Sequence, residues 1–187
     1  LTDERVTAAI ERVLARQGGN GSFGLWSVGG EDLWLNAFVT DFLTRAREKQ
    51  FAVPQIAFNL ALDRLRNQVV NTSEVNKEEA AGIAYALYVL ARNGRPVMGD
   101  LRYLVDTKLA AFATPLARGQ IAAALALLGD RGRAAKAFAS ALAGFREAAS
   151  TTSAYRPDYG SRLRDSAGLL ALAAETGLAR DSVQPLG

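Results

Sequence analysis

Apolar residues recur along this chain at intervals of three and four and rarely alternate with polar ones, the signature of helices rather than strands. Val6, Ala9, Ile10, Val13 and Leu14 share one face of a helix running from Asp3 to Arg16, with acidic residues in its first turn, where the helix dipole favours them. Gly18 and Gly19 end it. A second helix is predicted over Leu33 to Lys49, with Trp34, Phe38 and Phe42 on one stripe and Leu35, Val39 and Leu43 on the next. Pro54 starts a third, which Ile56, Leu60, Leu62 and Leu65 carry to Val69. Asn76, followed three residues later by Glu79, has the spacing of a capping box and opens a helix through Ile83, Ala86, Leu87 and Leu90. Gly94 and Pro96 stop it. The pattern then predicts Asp100 to Leu109, a helix capped by Thr114 and started by Pro115 that runs to Leu128, and two more over Arg131 to Phe145 and Leu163 to Glu175.

Two loops interrupt this series. The stretch from Gly18 to Gly30 holds Phe23, Leu25 and Trp26 among its glycines, and so many large apolar groups are expected to fold back onto the body. The stretch from Ser150 to Gly160 contains Pro157 and two tyrosines. Four segments share one form: DFLTRAREKQFAVP, YALYVLARNGRPV, AALALLGDRGRA and LLALAAETGLA. Each joins the end of an apolar helix through a short turn to a more polar helix, an αα-hairpin recurring at roughly 35 to 48 residues. An inner layer of buried helices and an outer layer of amphipathic ones follows, as an open solenoid or as an all-α, α/α toroid.

With 187 residues the chain fits one domain, residues 1 to 187. Its net charge of +3 comes from 22 Lys and Arg spread among 19 Asp and Glu, a solvated surface rather than a nucleic-acid footprint. Cysteine and histidine are both absent, which excludes disulfides, thiolate chemistry and the usual zinc sites. The longest apolar runs, Ile121 to Leu128 and Leu169 to Ala174, are far shorter than the roughly 20 residues of a membrane span, so no direct membrane insertion is expected. Leu1 leads into a helical pattern without an initiating Met, so the chain reads as a piece of something longer.

Candidate chemistry is sparse. Gly19 to Gly24 matches the spacing G-x-G-x-x-G, but a helix precedes it where a dinucleotide site needs a strand, so it reads as a tight turn against packed backbone and no cofactor is expected. Glu31, Asp32, Asp158 and Asp165 are the carboxylates that a glycosidase or lyase on an αα-toroid would use. Glu31 and Asp32, however, stand just before a helix, where capping alone calls for acidic residues. Trp34, Phe38 and Phe42 have the spacing of core residues, with a ligand cavity as the other reading; as a core residue, Trp34 replaced by Ala would cost about 3–5 kcal/mol. Tyr155, Tyr159, Arg162 and Asp165 form the densest polar and aromatic group; there Ser161 caps the last helix and Asp165 pairs with Arg162, with an interface role as the alternative.

Two motifs carry a resemblance. Trp34-Leu35-Asn36-Ala37-Phe38-Val39, behind its Gly-Ser-Phe-Gly loop, resembles the W-L-T-A-F-V segment of the thioester-containing domain of alpha-2-macroglobulins and complement proteins. Asp158 to Ala167, DYGSRLRDSA, resembles the Tyr-Gly-Ser-x-x-Arg-Asp-x-Ala pattern of the bacterial alpha-2-macroglobulins. The resemblance implies an incomplete, terpenoid-cyclase-like α/α toroid and no enzyme activity. It further implies a large periplasmic, lipid-anchored parent, acting in host defence, that traps target proteases after they cut a bait region and captures them through a Cys-to-Gln thioester. The Cys-x-Glu-Gln motif of that bond is absent here, lies upstream of the matching segment in the family, and is missing from some bacterial members; no reactive residue carries over. Trp26, Trp34, Tyr155, Tyr159, Arg162 and Asp165 are then the candidates for shielding the thioester or for contact with neighbouring domains. The alternatives from other classes are the carbohydrate-active toroid and a non-catalytic helical-repeat interaction domain.

Overall fold

A computed structural model describes residues 2–72, 75–76, 79–147 and 160–178. It contains α1 (Thr2–Leu14), α2 (Leu33–Glu48), α3 (Gln55–Val70), α4 (Ala80–Arg92), α5 (Met98–Thr107), a 3-10 turn (Leu109–Ala111), α6 (Pro115–Leu127), α7 (Arg131–Glu147) and α8 (Arg162–Thr176). No strand occurs among the described residues; one isolated bridge joins Gln17 to Phe23. No helix of the described residues is long and apolar enough to cross a membrane.

The helix ends follow local chemistry. Asp32 accepts the Leu35 N–H at 3.0 Å and Thr114 accepts the Ala117 N–H at 3.2 Å, each satisfying a donor that the first turn leaves unpaired. Ser161 does the same for Arg164 at 3.1 Å. Of the expected capping box one half forms: Asn76 Oδ1 takes the Glu79 N–H at 2.8 Å, while Glu79 Oε2 accepts from the Asn76 side-chain amide at 2.8 Å. Gly94, Gly129 and Gly177 turn the chain out of α4, α6 and α8 with positive φ.

Even-numbered helices pack on one another in chain order, α2 on α4, α4 on α6 and α6 on α8. Odd-numbered ones line the outside, α3 against α2 and α4, and α7 against α6 and α8. Burial divides the same way. From Ala80 to Ala91 every residue of α4 except Tyr85 is buried, whereas α7 buries only the stripe Ala134, Ala137, Phe138 and Ala141. Alanine is frequent in α4 and α6, five in each, and the core between the inner helices fills with Ile83, Leu87, Leu90, Ile121 and Leu125. Burial of each of these large side chains contributes about 1.5–3 kcal/mol.

The contact of α6 with α8 relies on two missing side chains. A Cβ on Gly119 would stand 2.4 Å from Leu169 Cδ2, and one on Gly168 would stand 2.6 Å from Leu116 Cδ1. Each glycine thus receives a leucine of the facing helix. The result is an all-α, incomplete α/α toroid in which α2 and α8, the first and last inner helices, approach each other through side chains across a central cavity.

Candidate functional site

That cavity holds about 310 Å³ and is walled by all four inner helices. α2 supplies Trp34, Phe38, Asp41 and Arg45, one residue per turn along a single face. α8 faces them with Ala167, Gly168 and Ala171. Trp34 and Phe38 stack nearly parallel, 5.3 Å between ring centroids and 10° between planes, and Tyr85 of α4 tilts against Trp34 at 6.0 Å. The Arg164 guanidinium lies 5.7 Å from the Trp34 ring, a second link between α2 and α8.

A polar network closes one end of this cavity. Asp41, buried, accepts both oxygens' worth of contact from Arg45 Nε at 3.1 and 3.2 Å and takes the Tyr85 hydroxyl at 2.9 Å. Arg45 reaches on to Glu175 at 2.7 Å, and Glu175 also receives the Tyr88 hydroxyl and Arg92, both at 2.7 Å. Arg92 grips Glu48 with two parallel bonds of 2.8 and 2.7 Å, the fork geometry a guanidinium provides. Three helices, α2, α4 and α8, are thereby tied at one point. Burial alone would raise the Glu175 carboxyl, but hydrogen bonds from Arg45 and Tyr88 and the charges of Arg45 and Arg92 outweigh it and hold its pKa at about 2. The bond from Arg92 likewise holds Glu48 below the usual carboxylate range, and burial together with the Asp41 carboxylate pushes Tyr85 well above the usual phenol range. Glu48 and Glu175 therefore stay ionised and Tyr85 stays neutral around neutral pH.

Beside the cavity mouth lies the glycine-rich loop. Its base is clamped: Asn36 of α2 accepts the Phe23 N–H at 2.6 Å and donates to the Gly30 carbonyl at 3.3 Å, while the Arg16 carbonyl takes the Gly29 N–H at 3.0 Å. Arg16 also donates to the Leu25 carbonyl. Phe23 is buried, but the expectation that Leu25 and Trp26 fold back as well is wrong: they are 52% and 90% exposed. The base is held by Asn36 and Arg16, and the tip residues Leu25 and Trp26 wall an open groove with Trp34, Leu35 and Phe38 instead of entering the core. Gly21, at φ +84°, turns against α3, where a Cβ would fall 2.1 Å from the Leu60 carbonyl oxygen. The G-x-G-x-x-G spacing is thus a tight turn on packed backbone, as its context predicts.

The remaining sequence candidates separate. Trp34 is only half-buried and Phe38 is 49% exposed, so these two line the cavity instead of the core, while Phe42 packs on the core from its edge. The aromatic stripe is turned toward the centre of the ring, where Trp34 and Phe38 line the cavity. Glu31 pairs with Arg64 and Asp32 caps α2, so neither is poised as an acid or base. Asp165 does not pair with Arg162 as the helix spacing predicts. It is buried, with Arg164 at 3.6 Å, and Arg162 lies over the Phe145 ring at 5.2 Å, because the first turn of α8 points Arg162 outward at α7. Tyr155, Asp158 and Tyr159 lie outside the described residues. The cavity network of Asp41, Arg45, Glu48, Tyr85, Tyr88, Arg92 and Glu175 went unread in the sequence. A signal existed: Asp41, Arg45 and Glu48 recur at helical spacing on α2, as do Tyr85, Tyr88 and Arg92 on α4, polar stripes on two inner helices.

No family model matches the chain. Among curated proteins it is 36% identical over 186 residues to alpha-2-macroglobulin of Escherichia coli (strain K12), 94% of this chain and 11% of that protein. Identity to alpha-2-macroglobulin of Xylella fastidiosa (strain Temecula1 / ATCC 700964) is 32% over 190 residues, 97% of this chain and again 11% of the relative. The chain therefore spans about a ninth of the length of the relatives it matches. Among solved structures, native E. coli alpha-2-macroglobulin from domain MG7 to the C-terminus superposes with a TM-score of 0.82 at 36% identity, over 92% of this chain and 28% of that one. Salmonella alpha-2-macroglobulin reacted with methylamine gives 0.81 at 33% over 95% and 12%, and the trypsin-activated E. coli protein 0.77 at 35% over 92% and 12%. Sequence and helical architecture agree along nearly the whole chain, so it is homologous to a helical segment of bacterial alpha-2-macroglobulin.

Proposed function

We propose that this chain is one part of a bacterial alpha-2-macroglobulin-like endopeptidase inhibitor, in which it supplies the toroid that houses or shields a thioester carried outside these 187 residues. The parent acts as a trap for attacking proteases and not as an enzyme. The observation that carries this reading is the homology itself, which covers 94% of the chain and extends to proteins whose structures are described as activated by trypsin and by porcine elastase. A methylamine-reacted relative of the same fold points the same way, since methylamine is a small nucleophile of the kind that opens a thioester.

The surface supports an embedded role. Exposed Leu25 and Trp26 share a groove with exposed Phe38, an apolar patch that in a free-standing domain marks a contact site. Neighbouring domains of the parent are its natural cover, and excluding water there would protect a bond that water destroys. Trp26 and Trp34 take this shielding role. The periplasm, with the parent held by a lipid anchor and serving host defence, is the setting proposed for it.

The test is chemical. The full-length protein is treated with methylamine, free thiols are counted before and after, and the products are mapped by mass spectrometry. One new thiol with a methylamide on a glutamine is the expected result; an unchanged thiol count and no adduct in freshly prepared protein would refute the thioester role.

A further inference from the structure

The dipeptide Asn-Gly occurs twice in the chain, at Asn20-Gly21 and at Asn93-Gly94, and the fold treats the two in opposite ways. Asparagine before glycine is open to self-modification, because no side chain on the glycine keeps its nitrogen from the asparagine Cγ and the attack is intramolecular. In the glycine-rich loop packing demands both residues. Gly21 holds φ +84°, and a Cβ there would stand 2.1 Å from the Leu60 carbonyl oxygen, so nothing larger fits. Asn20 Oδ1 accepts from the Ser22 N–H at 3.1 Å and from the Ser22 hydroxyl at 2.7 Å. These two donors polarise the amide carbon and are in place for the charge that builds on Oδ1 when that carbon is attacked. Asn20 is exposed, so water reaches the amide. One restraint remains: the Gly21 N–H donates to the Gly18 carbonyl at 2.9 Å, and the attack waits on the opening of that bond.

Asn93 stands in the opposite environment. Partly buried at the end of α4, it donates through Nδ2 to Thr44 Oγ1 at 2.9 Å and to the Val89 carbonyl at 2.8 Å. Both bonds must break before that nitrogen can leave.

We propose that Asn20-Gly21 is a site of self-modification that loosens the glycine-rich loop. The Gly21 nitrogen bonds to Asn20 Cγ and gives its proton to water, Nδ2 takes up a proton and leaves as ammonia, and a succinimide ring closes. Water then opens the ring at either carbonyl and leaves aspartate or isoaspartate at position 20, so the whole conversion consumes one water and releases one ammonia. Isoaspartate puts an extra methylene into the main chain where Gly21 fits against Leu60 and where the Gly18 N–H meets the Ser22 carbonyl at 2.8 Å. The turn loses its register, and the loop that carries Leu25 and Trp26 loses its fixed base. The inference holds whether or not the parent carries a thioester.

The full-length protein that carries this chain is aged in mildly alkaline buffer and sampled over time. Each sample is peptide-mapped by mass spectrometry, labelled with an isoaspartyl methyltransferase, and digested briefly with chymotrypsin to follow cleavage after exposed Trp26. Conversion at Asn20 is expected to run about tenfold or more faster than at Asn93, the rate equivalent of one further hydrogen bond to break. It should slow in acidic buffer, where the Gly21 nitrogen keeps its proton, and cleavage after Trp26 should accelerate as isoaspartate accumulates. Asn20→Gln, whose longer side chain closes the ring far more slowly, should show no conversion at that position and a cleavage rate that stays constant with age. No conversion at Asn20, conversion at Asn93 as fast, or aspartate without isoaspartate overturns the proposal. A cleavage rate indifferent to isoaspartate at position 20 overturns it too.

Discussion

Phe23 and Trp26 stand three residues apart in one loop, and their environments are opposite. Phe23 is buried under an Asn36 hydrogen bond to its own backbone, so Phe23→Ala should cost about 3–5 kcal/mol in chemical denaturation, the usual loss for a buried aromatic. Trp26→Ala, at a position 90% exposed, should leave the midpoint within about 0.5 kcal/mol. Trp34→Ala falls between them: half-buried at the cavity edge, it should cost about 1–2 kcal/mol rather than the larger loss expected of a core residue, because only part of its surface leaves water. Hydrophobicity told which residues seek cover, but it could not tell which of them find it. Trp26 and Trp34 read alike in a sequence; the difference is that the clamped loop holds Trp26 out at its tip while Trp34 packs on Phe38 and Tyr85 at the cavity.

At the scale of elements the reading was nearly complete, and the reason is that helix ends are local events. A residue at the Ncap and the N–H it accepts are three positions apart, so Asp32, Thr114, Ser161 and the Asn76 half of the capping box could all be placed from spacing alone. Thr114→Ala should accordingly lower stability by about 1 kcal/mol. Packing between elements is not local, and there the pattern was silent. Nothing near Gly168 announces that Leu116, 52 positions earlier, fills the place of its side chain. Gly168→Val should force α8 off α6 and cost about 1–3 kcal/mol by overpacking, measured as a lowered unfolding midpoint with unchanged helical content. Asp165 failed for the same reason: spacing offered Arg162, and three-dimensional direction gave that arginine to Phe145.

At the scale of the whole molecule, the alternation of apolar and amphipathic helices was sufficient to predict two layers, because a helix buried on all sides can only be an inner one. What ties the ring's two ends was out of reach, since Arg45 and Glu175 meet across 130 positions and Tyr88 and Glu175 across 87. This tie has a pH signature. The carboxyl of Glu175 has a folded pKa near 2 against an ordinary value of 4.5, so its contribution is fully present above pH 4.5 and is lost as pH falls from 4.5 toward 2. Stability should therefore drop over that interval, and Glu175→Gln should lower stability near neutrality while flattening the drop; an unchanged acid profile in the variant would show that the network carries no such linkage.

The chain matches about a ninth of the length of bacterial alpha-2-macroglobulin, and the proposal that its parent is a protease trap is tested most directly by capture. Full-length protein is mixed with trypsin at equal molar amounts and the mixture is weighed by size-exclusion chromatography with light scattering, followed by a denaturing gel. The account predicts that trypsin leaves the free fraction and travels with the large protein, which is itself cut once. Trypsin eluting free beside a progressively degraded partner would contradict it.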